Sequence, residues 1–196
     1  MTQPTFTDGT SYTPPNRHPF IVLEGIDGSG KTTISEKVAL HFNCNLSHEP
    51  FEIQDYVDNL YSCNPYERAL LFAADRAVHC EIIAKCLPHD MYITDRYYYS
   101  NLVYQSTIDS VPLPWLYAIQ PPNLIHPTRI FLCECDVDIA LTRCHKKHEP
   151  WTSRQLHDLQ ESYHDVLKFE THTIIDTSVH SINECVAMCI EKIEVL

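Results

Sequence analysis

Eight consecutive residues near the N-terminus have the types and spacing of a phosphate-binding loop. In order they are Gly25-Ile26-Asp27-Gly28-Ser29-Gly30-Lys31-Thr32, and Thr33 follows them. This is a complete G-x-x-x-x-G-K-[ST] pattern, in which glycines let successive backbone N–H groups turn toward phosphate oxygens. The lysine of such a loop reaches the β- and γ-phosphates of a nucleotide, and the hydroxyl after it is a ligand for Mg²⁺. The pattern predicts that a nucleoside triphosphate binds here, rather than that the glycines only form a turn.

An acidic and a basic residue follow a short apolar segment later in the chain. Asp95 and Arg96 come directly after Met91–Thr94, which has the composition of a buried strand. In a protein with a phosphate-binding loop, a carboxylate at the end of such a strand usually faces the Mg²⁺ ion. The neighbouring guanidinium group can bind two phosphate oxygens at once. The alternative is that Asp95 and Arg96 form a local ion pair that closes a loop.

An aromatic and a basic residue share one face of a long predicted helix. Phe72 and Arg76 are four residues apart in the segment Pro65–Cys86. An aromatic ring can stack on a base while a guanidinium group binds the edge of that base. Helix spacing alone favours a simpler arrangement, in which Phe72 belongs to the core and Arg76 lies at the surface.

A basic stretch stands out in an otherwise acidic chain. It runs from Arg143 to Glu149 and includes Lys146 and Lys147. Cations on a short mobile segment can close over a polyphosphate and balance its charge. A solvated charged loop is the other interpretation of the same residues.

Alternating strands and helices are predicted to position these groups. Apolar segments predict five strands, the last one weakly: Phe20–Leu23, Met91–Thr94, Ile130–Cys133, Thr173–Ile175 and Cys44–Ser47. Helical spacing of apolar residues predicts five helices: Lys31–Phe42, Pro65–Cys86, Val137–Cys144, Ser153–Phe169 and Ile182–Ile193. This alternation predicts a three-layer α/β/α fold around a parallel five-stranded sheet, with the site beyond the carboxyl ends of the strands.

Length and composition narrow the class of protein. The chain has 196 residues, of which 44 % are hydrophobic, and a formal net charge of −12. This length suits a single domain, and a chain so acidic argues against a nucleic-acid partner. No apolar segment reaches the roughly 18 residues of a membrane span, and the N-terminus lacks the pattern of a secretory signal. We therefore expect a cytoplasmic protein without a membrane partner.

Two further expectations concern the cysteines and the N-terminal segment. The nine cysteines are odd in number and form no C-x-x-C pattern, so they are predicted to be structural free thiols rather than zinc ligands or disulfides. Free thiols also fit the cytosol. The threonine and proline content of residues 1–18 predicts a poorly ordered leader, which leaves residues 19–196 as one domain.

Four segments taken together resemble the thymidylate kinase (dTMP kinase) family. They are "VLEGIDGSGKTT", "LLFAADRA", "DRYYYSNLVYQ" and "DVDIALTR", in the order and at the separations typical of that family. The resemblance covers roughly residues 19–195, and the last two segments are closer to bacterial and archaeal enzymes than to animal or poxvirus ones. It implies the fold of a P-loop nucleoside monophosphate kinase, transfer of a phosphoryl group from ATP to dTMP with Mg²⁺, and a homodimer formed through helices.

The resemblance assigns roles on the nucleotide side of the site by position. Lys31 and Thr32 match the lysine and the hydroxyl residue of the family's phosphate loop, and Asp95 matches the carboxylate near the metal. Asp27 matches the carboxylate that holds the deoxyribose 3′-OH and positions the acceptor. Arg143 matches the arginine that packs against adenine. The remaining loop residues of the ATP site are Gly25, Gly28, Ser29, Gly30 and Thr33.

The acceptor side is assigned in the same way. Phe72 matches the ring that stacks on thymine, and Arg76 matches the guanidinium group that binds the thymine edge, which reverses the expectation from helix spacing. Arg96 matches the arginine that contacts the dTMP phosphate. Ser100 and Asn101 match a pair that contacts the base, and Tyr104 matches the ring that crowds the 2′ position and disfavours ribonucleotides.

One position of the phosphate loop indicates where the positive charge for catalysis comes from. Gly28 stands where the animal enzymes have an arginine, and the family then supplies the charge from a lid, here predicted at about residues 144–154. Arg154 is the first candidate, because it opens the predicted lid helix and a guanidinium group can bind two phosphate oxygens. The other candidates are Arg143, Lys146 and Lys147.

Other functions stay open at this point. The family's Arg-Glu-Pro-Gly-Gly segment is here His48-Glu49-Pro50-Phe51-Glu52, and its Pro-x-Pro-Asp segment is replaced by His126-Pro127-Thr128. A deoxynucleoside kinase would use a carboxylate such as Glu49 to deprotonate a sugar hydroxyl. That kinase is the nearest alternative, and a deoxynucleoside monophosphate kinase with a broader pyrimidine range is another. A non-catalytic nucleotide-binding scaffold would predict damage to Lys31, Thr32 or Arg96, and all three are intact.

Overall fold

A five-stranded parallel sheet forms the centre of the protein. The computed structural model describes residues 18–53 and 62–196. In chain order the strands are β1 Phe20–Glu24, β2 Asn45–His48, β3 Tyr92–Asp95, β4 Arg129–Glu134 and β5 His172–Asp176. They lie in the order β2-β3-β1-β4-β5, and every neighbouring pair is parallel. The predicted sheet is confirmed, including its weakest strand.

Seven α-helices connect and follow the strands within the described ranges. They are α1 Lys31–Phe42, α2 Pro65–Cys86, α3 Tyr98–Thr107, α4 Leu113–Ala118, α5 Val137–Lys146, α6 Ser153–Leu167 and α7 Ile182–Glu194. All five predicted helices are present, with ends that differ by two residues or fewer. The helix predicted to reach Phe169 stops at Leu167, and the Phe169 side chain is 94 % exposed.

Helices α3 and α4 are the two that the sequence does not predict. The α3 segment is rich in tyrosine, serine, asparagine and threonine, which have modest helix propensity. The backbone N–H groups of Tyr97 and Ser100 at its start donate to the Glu24 carboxylate at 2.9 and 3.3 Å. Because this cap comes from β1, no local pattern around α3 reveals it. Helix α4 has only six residues, too few for an apolar period to be recognised.

Helices cover both faces of the sheet. On β1, Ile21 and Leu23 belong to a cluster with residues of α1 and α7, whereas Phe20 and Val22 belong to a larger cluster with residues of α2 to α6. Successive strand residues thus point to opposite layers, as expected for a strand buried on both faces. This is the predicted three-layer α/β/α arrangement.

The sheet order places two predicted site segments next to each other. Leu23 of β1 pairs with Asp95 of β3, so the phosphate loop and the Asp95–Arg96 pair leave the same edge of the sheet side by side. In parallel sheets, this carboxyl edge is where ligands bind.

Three expectations concern the chain as a whole: the state of the cysteines, the lack of a membrane span and the N-terminal leader. All nine cysteines are free thiols, and six of them are buried: Cys80, Cys133, Cys135, Cys144, Cys185 and Cys189. Within residues 18–53 and 62–196, no helix is long and apolar enough to cross a bilayer. The predicted leader lies outside the described residues, apart from His18.

Candidate active site

The phosphate loop leaves β1 and turns into the N-terminus of α1. Gly25 and Gly28 have φ angles of 145° and 77°, a region that residues with side chains rarely adopt. A Cβ atom would also clash with a backbone carbonyl at each position, that of Cys133 at Gly25 and that of Ala140 at Gly28. The glycine pattern is therefore required by the backbone conformation and by close packing against β4 and α5.

Lys31 lies on the inner side of this loop. Its side chain is buried, and Nζ donates a hydrogen bond to the Ile26 carbonyl at 3.0 Å. Burial and the nearby Arg96 lower the pKa of Lys31, while the carboxylates of Asp27 and Asp95 act in the opposite direction. The Lys31 amine is thus held against the backbone of the loop, whose lysine typically reaches the nucleotide phosphates.

Thr32 and Asp95 meet where α1 begins. Thr32 Oγ1 lies 2.5 Å from Asp95 Oδ2. The other carboxylate oxygen of Asp95 is buried and has no hydrogen-bond partner among the described residues. Hydroxyl and carboxylate oxygens are the ligands that Mg²⁺ prefers, and a buried oxygen without a partner is unfavourable unless a cation or water binds it. These two residues therefore fit a magnesium site.

Arg96 pairs with the loop carboxylate rather than with its neighbour Asp95. Arg96 Nη2 donates to Asp27 Oδ1 at 2.5 Å, and the Tyr104 hydroxyl donates to Asp27 Oδ2 at 2.7 Å. Burial opposes the ionisation of Asp27, but the charges of Arg96 and Lys31 outweigh it, so the pKa of Asp27 falls to about 2. The backbone of Arg96 is left-handed at a φ of 68°, a strained conformation that is concentrated at functional sites.

Glu24, which no sequence motif marked, lies next to this pair. It accepts hydrogen bonds from the Ser100 hydroxyl at 2.5 Å and the Tyr163 hydroxyl at 3.2 Å. Its side chain is fully buried, and burial raises the pKa of Glu24 to about 7 in spite of these hydrogen bonds and the nearby Arg96. Arg96 Nη1 also donates to the Ser100 hydroxyl at 3.2 Å. One hydroxyl group therefore links Arg96 to a carboxyl group that titrates near neutral pH.

Arg76 lies in a buried polar cluster on α2. It is 1 % exposed, so the surface position that helix spacing favoured is wrong. Its Nε and Nη2 donate to Glu49 Oε2 at 2.9 and 2.8 Å, and its Nη1 donates to Gln120 Oε1 at 2.8 Å and Asn101 Oδ1 at 3.4 Å. Phe72, one turn earlier, is half-buried and belongs to neither core cluster. The guanidinium group is thus oriented by a carboxylate and two amides.

A cleft of about 500 Å³ opens between the phosphate loop, the segment after α5 and the start of α7. Arg143 lines this cleft and binds the loop, since its Nη1 donates to the Gly28 carbonyl at 3.0 Å and to Thr177 Oγ1 at 3.3 Å. Lys147 and Glu149, which follow α5, line it as well. The cleft has the place and the cationic lining expected of a nucleotide site.

Arg154 stands apart from this cleft. Its side chain is 91 % exposed, and its Nε lies 3.7 Å from Asp158 Oδ2 on the surface of α6. Arg154 does not contribute to the lining of the cleft, whereas Lys147 does. Of the predicted catalytic cations, the structure therefore brings Arg143 to the phosphate loop and Lys147 to the cleft, and leaves Arg154 at the outer surface.

Most predicted site residues gather around the phosphate loop and the ends of β1 and β3. They are Asp27, Lys31, Thr32, Asp95, Arg96, Ser100, Tyr104 and Arg143. Four polar residues that hydrogen-bond to groups in or near the site have no sequence signal of their own: buried His79, Tyr163 and Thr177, and half-buried Gln120. Only Glu24 had a signal that was missed, a carboxylate that ends an apolar strand.

Comparisons with known proteins agree on one family. The model of the family described as thymidylate kinase matches residues 23–189. A probable thymidylate kinase of Methanocaldococcus jannaschii is 33 % identical over 171 residues, which cover 84 % of this chain and 90 % of that protein. A probable thymidylate kinase of Methanococcus maripaludis is 38 % identical over 135 residues, which cover 66 % of this chain and 67 % of that protein. The solved thymidylate kinase of Candida albicans superposes with a TM-score of 0.76 at 19 % identity, over 91 % of this chain and 92 % of that one, a likeness of fold.

Proposed function

The chain belongs to the thymidylate kinase family, and we propose that its site transfers the γ-phosphoryl group of ATP to dTMP, giving ADP and dTDP for dTTP synthesis. One observation carries the proposal: an intact phosphate loop lies beside an arginine–carboxylate pair at the neighbouring strand end. A phosphate oxygen of dTMP is already a nucleophile, so this reaction needs no general base. Catalysis is then positioning together with stabilisation of negative charge.

The Arg96–Asp27 pair marks the place of the acceptor. Each partner is assigned its own group on dTMP: Arg96 the phosphate, and Asp27 the deoxyribose 3′-OH. Binding of dTMP would therefore exchange one close ion pair for two substrate contacts at nearly the same place. After this exchange the dTMP phosphate balances the charge of Arg96, and the sugar hydroxyl donates a hydrogen bond to Asp27.

The remaining acceptor residues surround the sugar and the base. Phe72 stacks on thymine, and Arg76 binds its edge. Tyr104, held by the Asp27 carboxylate, crowds the 2′ position. Ser100 and Asn101 on α3 complete the contacts to the base. The Arg76 guanidinium group is suited to this role because Glu49 and two amides orient it before the substrate binds.

On the donor side, Lys31 and the loop N–H groups bind the β- and γ-phosphates, and Arg143 packs against adenine. Thr32 and Asp95 would hold the Mg²⁺ ion that this reaction class requires. When bound, the ion neutralises charge on the phosphate oxygens. Packing between Gly28 and Ala140 leaves no room for a side chain at Gly28, so additional charge comes from the lid.

A deoxynucleoside kinase is less well supported by the same geometry. That reaction needs a carboxylate free to take a proton from a sugar hydroxyl. Glu49 accepts from Arg76 through both Nε and Nη2, and His79 Nδ1 lies 3.1 Å from its other oxygen. A carboxylate that is buried and paired in this way serves to orient its neighbours.

The proposed enzyme is a cytoplasmic homodimer. Helix α2 carries a row of half-exposed apolar side chains that suits a contact between two copies: Leu70, Leu71, Val78 and Ile82. Burying such a row is the usual basis of a symmetric helix-to-helix interface. Sedimentation at micromolar concentration should show a dimer, and a monomer alone would contradict this assembly.

Release of ADP in a coupled assay tests the function directly. The enzyme is given ATP, Mg²⁺ and each nucleoside monophosphate in turn, and thymidine in a separate reaction. We expect dTMP to give the highest kcat/KM and thymidine to give no turnover. A preference for thymidine would support the deoxynucleoside kinase, and similar rates for dTMP and other pyrimidine monophosphates would support the broader kinase. Binding of ATP without turnover of any acceptor would support a scaffold.

A further inference from the structure

His79 is a fully buried histidine on α2 that the mechanism above does not use. Its Nδ1 lies 3.1 Å from Glu49 Oε1, and its Nε2 lies 2.8 Å from the Ser47 hydroxyl. The ring of Phe51 stacks on it with a centroid distance of 4.5 Å and an angle of 7°. Both ring nitrogens therefore have polar partners, and one face of the ring is covered by an aromatic side chain.

The partners of His79 decide which nitrogen carries the proton. An ionised carboxylate only accepts hydrogen bonds, so Nδ1 must donate to Glu49. The Ser47 hydroxyl then donates to Nε2. Glu49 already balances the charge of Arg76, and a neutral His79 ring leaves this buried cluster without net charge. The tautomer is thus set by groups on β2 and on the segment that follows it.

A second contact holds the same segment from α2. The Asp75 carboxylate accepts hydrogen bonds from the backbone N–H groups of Phe51, Glu52 and Ile53, at 2.6, 2.8 and 3.3 Å. Asp75 and His79 are one helical turn apart and bind successive parts of residues 49–53. Asp75 therefore holds the backbone that follows Glu49, and the Nδ1–H group of His79 holds the Glu49 carboxylate.

We propose that His79 is a positioning residue for discrimination between acceptor bases, acting on Arg76 through Glu49. Its Nδ1–H holds Oε1 of Glu49, which also accepts from Arg76 Nε at 3.3 Å, so that Oε2 stays on Nε and Nη2 of Arg76. Nη1 of Arg76 is then left to Asn101 and Gln120 on the far side of the guanidinium group. The proposal rests on the proposed function, because it needs Arg76 to bind the base of a nucleoside monophosphate.

Base discrimination is the property that this chain of contacts should control. Thymine presents an acceptor oxygen at C4, whereas cytosine presents an amino group there. A guanidinium group has only donors, so an oriented Arg76 favours dTMP over dCMP. If Glu49 loses the hydrogen bond from His79, the Arg76 guanidinium group becomes more mobile, and the preference for dTMP over dCMP weakens. The phosphate loop and the ATP site lie at another part of the site and are not affected.

Two substitutions at the same position separate orientation from packing. In His79→Asn, the amide nitrogen takes the place of Nδ1 and can still donate to Glu49. In His79→Gln, the amide group reaches the place of Nε2, so the contact with Ser47 is kept and the donor to Glu49 is lost. The exposed His89→Gln is the matched control. The readouts are kcat/KM for dTMP and for dCMP, the KM for ATP, and the thermal midpoint.

We expect His79→Gln to lower the ratio of kcat/KM for dTMP to that for dCMP by about tenfold, with the KM for ATP within twofold of wild type. His79→Asn should keep that ratio within about threefold. Equal losses in both variants, or a ratio that neither variant changes, would overturn the proposal. Should His79→Gln fail to fold, Ser47→Ala decides. Removing the hydroxyl that holds Nε2 loosens the ring and its Nδ1 contact with Glu49, which should lower the ratio about twofold to threefold, and an unchanged ratio overturns the proposal. If wild type does not phosphorylate dTMP at all, the proposed function fails instead.

Discussion

The acceptor side of the site and the lid hold their cations in opposite ways. On the acceptor side, Arg96 is paired with Asp27 and Arg76 with Glu49, and both pairs are largely shielded from solvent. On the lid side, the three cations after Arg143 are exposed: Lys146, Lys147 and Arg154.

This difference separates charges that are preorganised from charges that must be delivered. Removing one partner of a buried ion pair is strongly unfavourable, so both acceptor arginines are held in place before substrate binds. An exposed pair such as Arg154–Asp158 contributes roughly 0 to 1 kcal/mol, which a nucleotide phosphate easily replaces. In the proposed mechanism, the acceptor is therefore bound by residues that are already in place, whereas the charge for the transferring group arrives when the lid moves.

In the proposed mechanism Lys31 binds the phosphate groups whichever side supplies the other cations, so its removal should have the largest effect. In Lys31→Ala, a charge aimed at the transition state is lost, which costs roughly 3 kcal/mol or more and lowers kcat by at least about a hundredfold. Steady-state kinetics measure this, and circular dichroism checks that the fold survives. Turnover within threefold of wild type would contradict the assignment of the loop.

Phe72 tests the residues that are already in place on the acceptor side. If its ring stacks on thymine, Phe72→Ala should weaken dTMP binding by about 1–3 kcal/mol and leave the KM for ATP nearly unchanged. Isothermal titration with dTMP and kinetics with ATP measure the two effects. An equal loss for ATP would mean that Phe72 only packs in the fold.

A pair of lid substitutions tests delivery of charge. Arg154→Ala is expected to lower kcat about tenfold or more with little change in the KM for dTMP, as for a group that acts only in the transition state. Lys147→Ala is measured beside it, because Lys147 already lines the cleft. If only Lys147→Ala lowers kcat, the role of supplying charge belongs to Lys147 and not to Arg154. If Arg143, Lys146, Lys147 and Arg154 can each be replaced with kcat within twofold, the lid does not supply the charge.

Glu24 allows a test that concerns stability rather than turnover. Its folded pKa of about 7 exceeds the ordinary value of 4.5, so the folded state binds this proton more tightly than the unfolded chain. The resulting stability is fully present below about pH 4.5 and is lost as the pH rises through about 7. Glu24→Gln removes this dependence, so wild type should lose stability relative to the variant between about pH 5 and pH 8, by on the order of 3 kcal/mol at most. Asp27, whose pKa is lowered to about 2, changes protonation below this range.

Thermal midpoints of both proteins across that pH range provide the measurement. Parallel curves for wild type and Glu24→Gln would contradict a raised pKa at Glu24. Curves that cross in the opposite sense would mean that the ionised carboxylate stabilises the fold.

The two sides of the site also differ in what the sequence can predict. The phosphate loop is a contiguous motif whose glycines meet steric requirements, so sequence alone predicts both its residues and their place. The environment of Arg76 depends on Glu49 and Gln120, which are 27 and 44 residues away, and helix spacing therefore suggested a surface arginine. Helix α3 was missed for the same reason, because its cap is Glu24. Rules based on residue spacing do not predict such polar contacts between residues that are far apart in the sequence.

The close approach of Gly28 to Ala140 has a consequence for protein engineering and for evolution. The phosphate loop and helix α5 interlock there, and Arg143 of the same helix donates to the Gly28 carbonyl. An arginine-bearing loop grafted from an animal enzyme would collide with α5 unless that helix were exchanged as well. Loop and helix therefore form one transferable module, and a change of catalytic strategy in such a protein requires coordinated substitutions in two distant stretches of its gene.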